Sequence, residues 1–273
     1  MSMSKKSKVI IYALLTLMAL YFLSPFVYML FTTFKTETEA IAYPPKLFPA
    51  KWLWENYLSA WKAQPFGQYF LNSVLVTVGT TAGQIISCSL VAYGFARYNF
   101  KGKNIMFMIL LSTMMIPWDV TMIPQYMEFK IFGWINTLKP LIVPSWFGSA
   151  YYIFLMRQFL MGVPKDFEEA ARIDGANAFQ IYWRIFMPIM KPQLILVGVL
   201  NMITVWNDYL GPLIFLQDRS KFTLALGLAS FKGVHSTQII PMLCITVIMI
   251  LPPIIVFLFA QKHIVEGTSG AIK

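Results

Sequence analysis

The sequence offers few residues whose types and spacing could support catalysis. His235 and His263 stand alone, and Cys88 and Cys244 lie far apart within apolar runs, so neither a zinc site nor a disulfide framework is indicated. The chain lacks the phosphate-binding pattern G-x-x-x-x-G-K-[ST] and the catalytic patterns H-E-x-x-H and G-x-S-x-G. We therefore expect a chain that is not an enzyme, holds no metal or cofactor of its own, and depends on a partner for energy.

One charged segment, residues 163–190, has the pattern of two short helices joined by a turn. Asp166 and Glu169 have the spacing of a capping box, with Asp166 as the N-cap residue. This pattern predicts a helix from Phe167 to about Asp174. Gly175 follows, and glycine suits the left-handed backbone conformation that ends many helices.

A second helix is predicted from about Ala176 to Met187-Pro188, where the proline stops it. Its apolar face carries residues at helical spacing: Ala178, Ile181, Tyr182 and Ile185. Positive and negative residues are nearly balanced in this segment, which argues against nucleic acid as its partner. We expect the helix-turn-helix to bind a protein surface, and the alternative is an amphipathic connector that lies on lipid headgroups.

The composition of the chain indicates a membrane protein that positions these helices. The sequence has 273 residues, of which 58% are hydrophobic and 12% are charged. Soluble domains have about 45–50% apolar and about 25% charged residues, and a spanning helix needs about 20 apolar residues. Six apolar runs predict six transmembrane helices: Val9–Phe31, Tyr69–Ala96, Ile105–Ile123, about Pro140–Met156, about Gln193–Phe215, and Ile239–Ala260. The fold class is therefore an all-α membrane protein.

Charged residues indicate both the orientation of the spans and the class of transport. The loops predicted to lie inside carry thirteen lysines and arginines against five acidic residues, and the outside loops carry nine against seven. The positive-inside rule then places both termini in the cytoplasm. The middle of each predicted span lacks ionisable residues. Asp119 and Asp208 lie near the outer ends of the third and fifth predicted spans. A proton-driven carrier is disfavoured, whereas a sodium-coupled carrier or a channel stays open as an alternative.

Several motifs resemble those of one transporter family. Glu169-Ala170-Ala171, Gly175 and Ile185-x-Met187-Pro188 are similar, at fixed offsets, to the EAA motif of binding-protein-dependent ABC importer permeases, with Met187 where the family usually has leucine. Further stretches resemble the carbohydrate-uptake branch, typified by the six-span subunit of the maltose importer: Asn72-Ser73, Ala92 to Arg97, Met115-Ile116-Pro117, Trp206 to Leu213, and Gln261 to Gly267. The tail departs from the family pattern at Thr268-Ser269-Gly270-Ala271.

This resemblance implies the type I ABC importer permease fold, in a bacterial or archaeal cytoplasmic membrane. It implies a heterodimer with a second permease, two ATP-binding subunits that hold ATP and magnesium, and an extracytoplasmic solute-binding protein. Lipid surrounds the spans, and no nucleic acid is involved. Coupling to the ATPase is then expected at Asp166, Glu169, Ala170, Ala171, Asp174 and Gly175.

Two further sets of residues are candidates for contact with a sugar or with the binding protein. Trp206, Asn207 and Asp208 interrupt the fifth apolar run, so they either line a substrate path or cap a broken helix. The outer loop 217–238 contains Gly233, His235, Ser236 and Thr237, and the resemblance implies that it reaches into the binding protein. The alternative for this loop is a plain surface connection.

The sequence therefore predicts a sugar or oligosaccharide permease that works by alternating access. We expect an N-terminal part at residues 1–67, a permease core at 68–262, and a cytoplasmic tail at 263–273. A permease for another solute such as glycerol phosphate, or a membrane assembly or signalling subunit, are the remaining alternatives. Neutral cargo is preferred, because the spans offer no cationic groups for an anionic one.

Overall fold

The computed structural model describes residues 5–233 and 238–270, with side chains for residues 6–233 and 238–262. The regular secondary structure of these ranges is helical, which confirms the all-α class. The helices are α1 (Lys5–Thr32), α2 (Glu37–Ala40), α3 (Glu55–Ala63), α4 (Phe66–Arg97), α5 (Lys103–Ser112), α6 (Trp118–Ile131), α7 (Lys139–Ile142), α8 (Ala150–Met161), α9 (Asp166–Ile173), α10 (Ala178–Ile181), α11 (Met187–Ile189), α12 (Lys191–Trp206), α13 (Leu210–Phe215), α14 (Leu224–Ala229) and α15 (Ile239–Gly270). The chain divides into two compact units, Met1–Phe66 with Leu228–Ile250 and Gly67–Gly227 with Leu251–Lys273.

Three helices match predicted spans directly. The apolar parts of α1, α4 and α15 contain 27, 32 and 24 residues, which is enough for each to cross a membrane. A helix satisfies its own backbone hydrogen bonds, as lipid requires. The side chains of α1 from Lys6 to Val27 are all exposed in the first unit, and their apolar character suits contact with lipid or with another chain.

The third and fifth predicted spans are broken. A bend of 96° separates the segment Lys103–Met115 from Trp118–Ile131, at Pro117, which has no N–H to continue the helix. The break predicted within the fifth span, at about Gln193–Phe215, is confirmed, because α12 ends at Trp206 and α13 begins only at Leu210. A second bend, of 73°, precedes α12. In each bent pair, the two helical parts are long and apolar enough for one span only when they are taken together.

The fourth predicted span, at about Pro140–Met156, does not form one helix. The chain there passes through α7, a 3-10 turn at Val143–Phe147, and then α8. Pro140 and Pro144 occupy first-turn positions, and Gly148 has a positive φ of 85°, so the α-helical ladder is interrupted. Within the described residues, length and composition support three spanning helices, or five with the bent pairs. The six-span count therefore stays a prediction.

Side chains of α4 bind the second unit together. The amide of Asn201 on α12 donates to the hydroxyls of Thr80 and Thr81, at 3.2 and 2.9 Å. The hydroxyl groups of Ser89 and Tyr182 lie 2.7 Å apart, and both residues are buried. In an apolar environment these hydrogen bonds replace partners that water would otherwise supply, so they join α4 to α12 and to the segment after α9.

Candidate functional site

The first helix of the 163–190 segment is confirmed, but its predicted cap is wrong. Helix α9 begins at Asp166, its N-cap residue is Lys165, and no side chain caps it. The amide groups of Glu168 and Glu169 donate instead to the carbonyl of Lys165, at 2.9 and 3.1 Å. The three acidic residues of the first turn still favour the helix, because negative charge is stabilising at a helix N-terminus. Glu169 therefore carries no capping function.

The turn at Gly175 has the left-handed conformation that the sequence predicts. Its φ is +83°. The amide of Gly175 donates to the carbonyl of Arg172 at 3.1 Å, and the amide of Ala176 donates to that of Ala171 at 2.9 Å. This pair of bonds is the Schellman motif, in which the left-handed residue satisfies the last carbonyl groups of a helix.

The second helix differs from its prediction at both ends. It begins at Ala178, after a capping box in which Asn177 and Gln180 bond to each other's amide groups at 2.9 Å. It does not stop at Met187-Pro188 but continues through a π-helical turn, Tyr182–Phe186, into α11. Proline is accepted there because it occupies the first turn of α11, where its missing N–H is not needed.

The buried face of the second helix also differs in part from the predicted apolar face. Ile181 and Tyr182 are buried as expected, and Ile185 is half-buried. Ala178 is exposed, and Phe186 takes part in the core in its place. The π-helical turn changes the angular spacing of the residues, which a strict 3.6-residue period does not anticipate.

The two sides of α9 have different environments. Glu168 and Ala171 are buried, and the Glu168 carboxylate accepts a hydrogen bond from Arg172 at 2.6 Å. This hydrogen bond raises the pKa of Arg172 above its ordinary value. Glu169, Ala170 and Asp174 are exposed on the same helix. Glu168 is not among the residues predicted for coupling, although its spacing of four residues from Arg172 is the signal for such a pair.

A shallow groove runs beside α9, and we call it the α9 groove. Its volume is about 490 Å³. The lining residues are Pro164, Asp166, Phe167, Ala170, Ala171, Asp174 and Ile185. Four of the six residues predicted for ATPase coupling therefore line one concavity, while Glu169 is exposed nearby on α9 and Gly175 forms the turn that ends the helix. Ile173 is 86% exposed, so apolar surface adjoins acidic side chains here.

Trp206, Asn207 and Asp208 lie where α12 ends. Trp206 is 3% exposed and meets the edge of Phe70, with ring centroids 5.8 Å apart. The Asn207 amide donates to the carbonyl of Ile203 at 2.8 Å. The Asp208 carboxylate accepts from the amide of Gly211 at 3.1 Å, so it caps the start of α13. These bonds support the capping alternative for Asn207 and Asp208.

Trp206 also contributes to an apolar cavity within the second unit. The cavity has a volume of about 840 Å³ and is lined by residues of α4, α12 and the second half of α15. Among the described residues that line it, Lys191 is the one with a charged side chain. For the loop 217–238, Gly233 is exposed, whereas His235, Ser236 and Thr237 lie outside the described residues. The contact of this loop with a binding protein stays a prediction.

Comparisons with known proteins place this geometry in context. A family model described as "Binding-protein-dependent transport system inner membrane component" matches residues 84–269. The chain is 33% identical over 251 residues to the probable ABC transporter permease protein YurM of Bacillus subtilis (strain 168), covering 91% of this chain and 83% of YurM. It is 32% identical over 275 residues to the melibiose/raffinose/stachyose import permease protein MelC of the same organism, covering 98% of each chain.

Another relative and a solved structure agree with these matches. The arabinooligosaccharides transport system permease protein AraQ of Bacillus subtilis (strain 168) is 36% identical over 207 residues, which cover 76% of this chain and 73% of AraQ. The crystal structure of a bacterial ABC transporter involved in the import of the acidic polysaccharide alginate contains a chain with the same fold. The TM-score is 0.82 at 24% identity, over 97% of this chain and 99% of that one.

Proposed function

Because the chain belongs to the inner-membrane components of binding-protein-dependent transport systems, we propose that it is the permease subunit that moves a neutral sugar or oligosaccharide in an ABC importer. A component of this family is a multi-pass protein of the inner membrane that works with an ATPase and a solute-binding protein. Our proposal adds a second permease as heterodimer partner, two ATP-binding subunits that hold ATP and magnesium, and cytoplasmic termini.

The observation that supports coupling to an ATPase is the arrangement of α9. Glu168 is buried in the second unit, whereas Glu169 is exposed on the same helix. Exposed residues of α9 also line the α9 groove: Asp166, Ala170 and Asp174. Ala170 is small, so a partner surface can approach the backbone closely, and the Gly175 turn sets the direction of the next helix. An exposed concavity of mixed polarity suits a protein partner better than a small ligand.

The cargo is argued from charge and from the relatives. The names of MelC and AraQ give melibiose, raffinose, stachyose and arabinooligosaccharides as cargoes of those proteins, and all of these are neutral sugars. The middle of each predicted span lacks a cationic residue, which an anionic cargo would favour. The likeness to the alginate importer concerns the fold, so it does not argue for an acidic cargo.

The mechanism that follows is alternating access driven from the α9 side. Closure of the ATP-binding subunits around ATP moves α9, and the permease helices then rotate so that the path opens to one side of the membrane at a time. ATP binding and hydrolysis supply the energy. The ATPase shifts the equilibrium between the two states of the permease by the difference in its affinity for them.

The test is uptake into proteoliposomes that contain the chain, the permease and ATPase subunits that co-purify with it, and the solute-binding protein. Radiolabelled raffinose, arabinotriose and maltotriose are compared with glycerol 3-phosphate, with ATP and magnesium or a non-hydrolysable ATP analogue. We expect uptake of a neutral sugar that requires ATP hydrolysis. Uptake of glycerol 3-phosphate alone would overturn the neutral cargo.

The same experiment separates the importer from a sodium-coupled carrier. For the carrier, a sodium gradient supports uptake without ATP, and no ATPase co-purifies. Reporter fusions at Lys273 and after Lys35 test the orientation independently. We expect opposite sides for the two positions, with Lys273 in the cytoplasm, and the same side for both would contradict the proposed arrangement.

A further inference from the structure

The residue that ends α4 makes contacts far along the chain. The side chain of Arg97 donates through Nη2 to the carbonyl groups of Leu160 and Val163, at 2.7 and 2.8 Å. Leu160 lies in the last turn of α8, and Val163 begins the segment that leads into α9. One guanidinium group therefore holds α4, α8 and the entry to α9 together.

Arg97 also contacts the segment that leaves the helix-turn-helix. Its guanidinium carbon lies 4.6 Å from the ring centroid of Phe186, which is fully buried. The carboxylate of Glu168, on the buried side of α9, attracts the same guanidinium group. Arg97 thus contacts both ends of the helix-turn-helix, at Val163 and Phe186, and is attracted by the buried carboxylate of α9. The planar guanidinium group stacks on the ring while its Nη2 donates to both carbonyl groups, whereas a lysine ammonium is a point charge on a flexible stem, so lysine is not an equivalent residue.

The position of Arg97 relative to α9 indicates a mechanical role. Glu169 is exposed on α9, whereas Glu168 on the same helix is buried, and its carboxylate attracts the guanidinium group of Arg97. A displacement of α9 by a partner therefore reaches α4 through the Arg97 contacts. We propose that Arg97, through its contacts with the carbonyls of Leu160 and Val163 and with the ring of Phe186, is the positioning residue that transmits movement of α9 to α4.

This proposal rests on the proposed function, because the movement is the one that an ATPase partner imposes. It adds that α4 is the helix that receives the movement, and it names the contact that carries it. The hydrogen bond between the hydroxyl groups of Ser89 and Tyr182, at 2.7 Å, also joins α4 to the segment that leaves the helix-turn-helix. That bond lies within the packed core, whereas Arg97 bonds to the entry of the helix-turn-helix at Val163 and packs on its exit at Phe186.

Arg157 is a matched control for Arg97. Its guanidinium carbon lies 4.1 Å from the ring centroid of Phe107, and its Nε donates to the carbonyl of Phe95 at 3.4 Å. It therefore makes the same kinds of contact, between α8, α4 and α5, and the hydrogen bond and ring contact that the described residues show for it lie outside the segment 163–186. A general loss of packing should affect the Arg97 and Arg157 variants alike.

The experiment measures hydrogen–deuterium exchange in the complete complex in nanodiscs, with and without ATP, magnesium and vanadate. Residues 163–186 report the input, and the last two turns of α4 report the output. In the wild type and in Arg157→Gln, we expect both regions to respond to the nucleotide. In Arg97→Lys and Arg97→Gln, the input response should persist while the α4 response falls about 2- to 30-fold, the range expected for residues that carry coupling.

Three outcomes would overturn the proposal. An α4 response in Arg97→Gln that equals the wild-type response would show that movement travels by another route. Loss of both responses in Arg97→Gln with full recovery of both in Arg97→Lys would show that Arg97 only maintains the fold. If the wild-type segment 163–186 itself ignores the nucleotide while the ATPase is active, the proposed function fails, and the Arg97 proposal fails with it.

Discussion

Replacement of Gly175 should weaken the turn between α9 and α10 through backbone strain alone. Its φ of +83° lies in the left-handed region, which costs a residue with a Cβ about 1–2 kcal/mol. A Cβ at this position would meet no heavy atom within 4 Å, so crowding inside the chain adds nothing. The strain is smallest for asparagine, which tolerates this conformation, and largest for β-branched valine.

The expected order of turn stability is therefore Gly, Asn, Ala, Val at position 175. A loss of about 1–2 kcal/mol corresponds to an increase of about 5- to 30-fold in opening of the turn, since 1.4 kcal/mol is a factor of ten. The amide of Ala176, which bonds to Ala171 at 2.9 Å, reports this opening directly. Its hydrogen exchange, corrected for intrinsic rates, should rise in Gly175→Ala, rise further in Gly175→Val, and change least in Gly175→Asn.

Two results would refute this reasoning. Unchanged exchange at Ala176 in Gly175→Val would mean that the turn does not depend on the left-handed conformation. Exchange at Ala176 that rises more in Gly175→Asn than in Gly175→Ala would mean that side-chain volume, and not strain in the left-handed region, sets the stability of the turn. The exchange measurement uses the chain alone in nanodiscs, so it does not depend on the identity of the partners.

Three further predictions concern separate parts of the second unit. Glu169→Gln should change the free energy of unfolding of the isolated chain by less than about 0.5 kcal/mol, because Glu169 is exposed and caps no helix. A docking role for its charge predicts that the same variant weakens ATPase association in pull-down assays by about 2–5 kcal/mol, and equal association would contradict that role. Asp208→Asn should keep both the cap on α13 and sugar uptake, whereas Asp208→Ala should lower the free energy of unfolding by about 1 kcal/mol. Loss of uptake in the asparagine variant would favour a role of Asp208 in the substrate path. Asn201→Leu should destabilise the chain in detergent by about 1 kcal/mol, since two membrane-buried hydrogen bonds to Thr80 and Thr81 are lost. An unchanged melting temperature would show that other partners replace these bonds.

Local features of this chain could be predicted because they depend on nearby residues. The positions of α1, α4 and α15 follow from uninterrupted apolar runs, since a helix is the structure that satisfies the backbone in lipid. The turn at Gly175 follows from the conformational freedom of glycine after a short helix pattern. The break after Trp206 follows from polar residues and Gly211-Pro212 within an apolar run.

Other features depend on contacts between distant parts of the sequence, and only the tertiary structure decided them. Glu168 and Glu169 are adjacent and chemically identical, yet Glu168 is buried beside Arg172 and Glu169 is exposed. The packing of α9 against the rest of the second unit decides which face of the helix is buried. The contact of Arg97 with Phe186 joins residues that no local pattern relates.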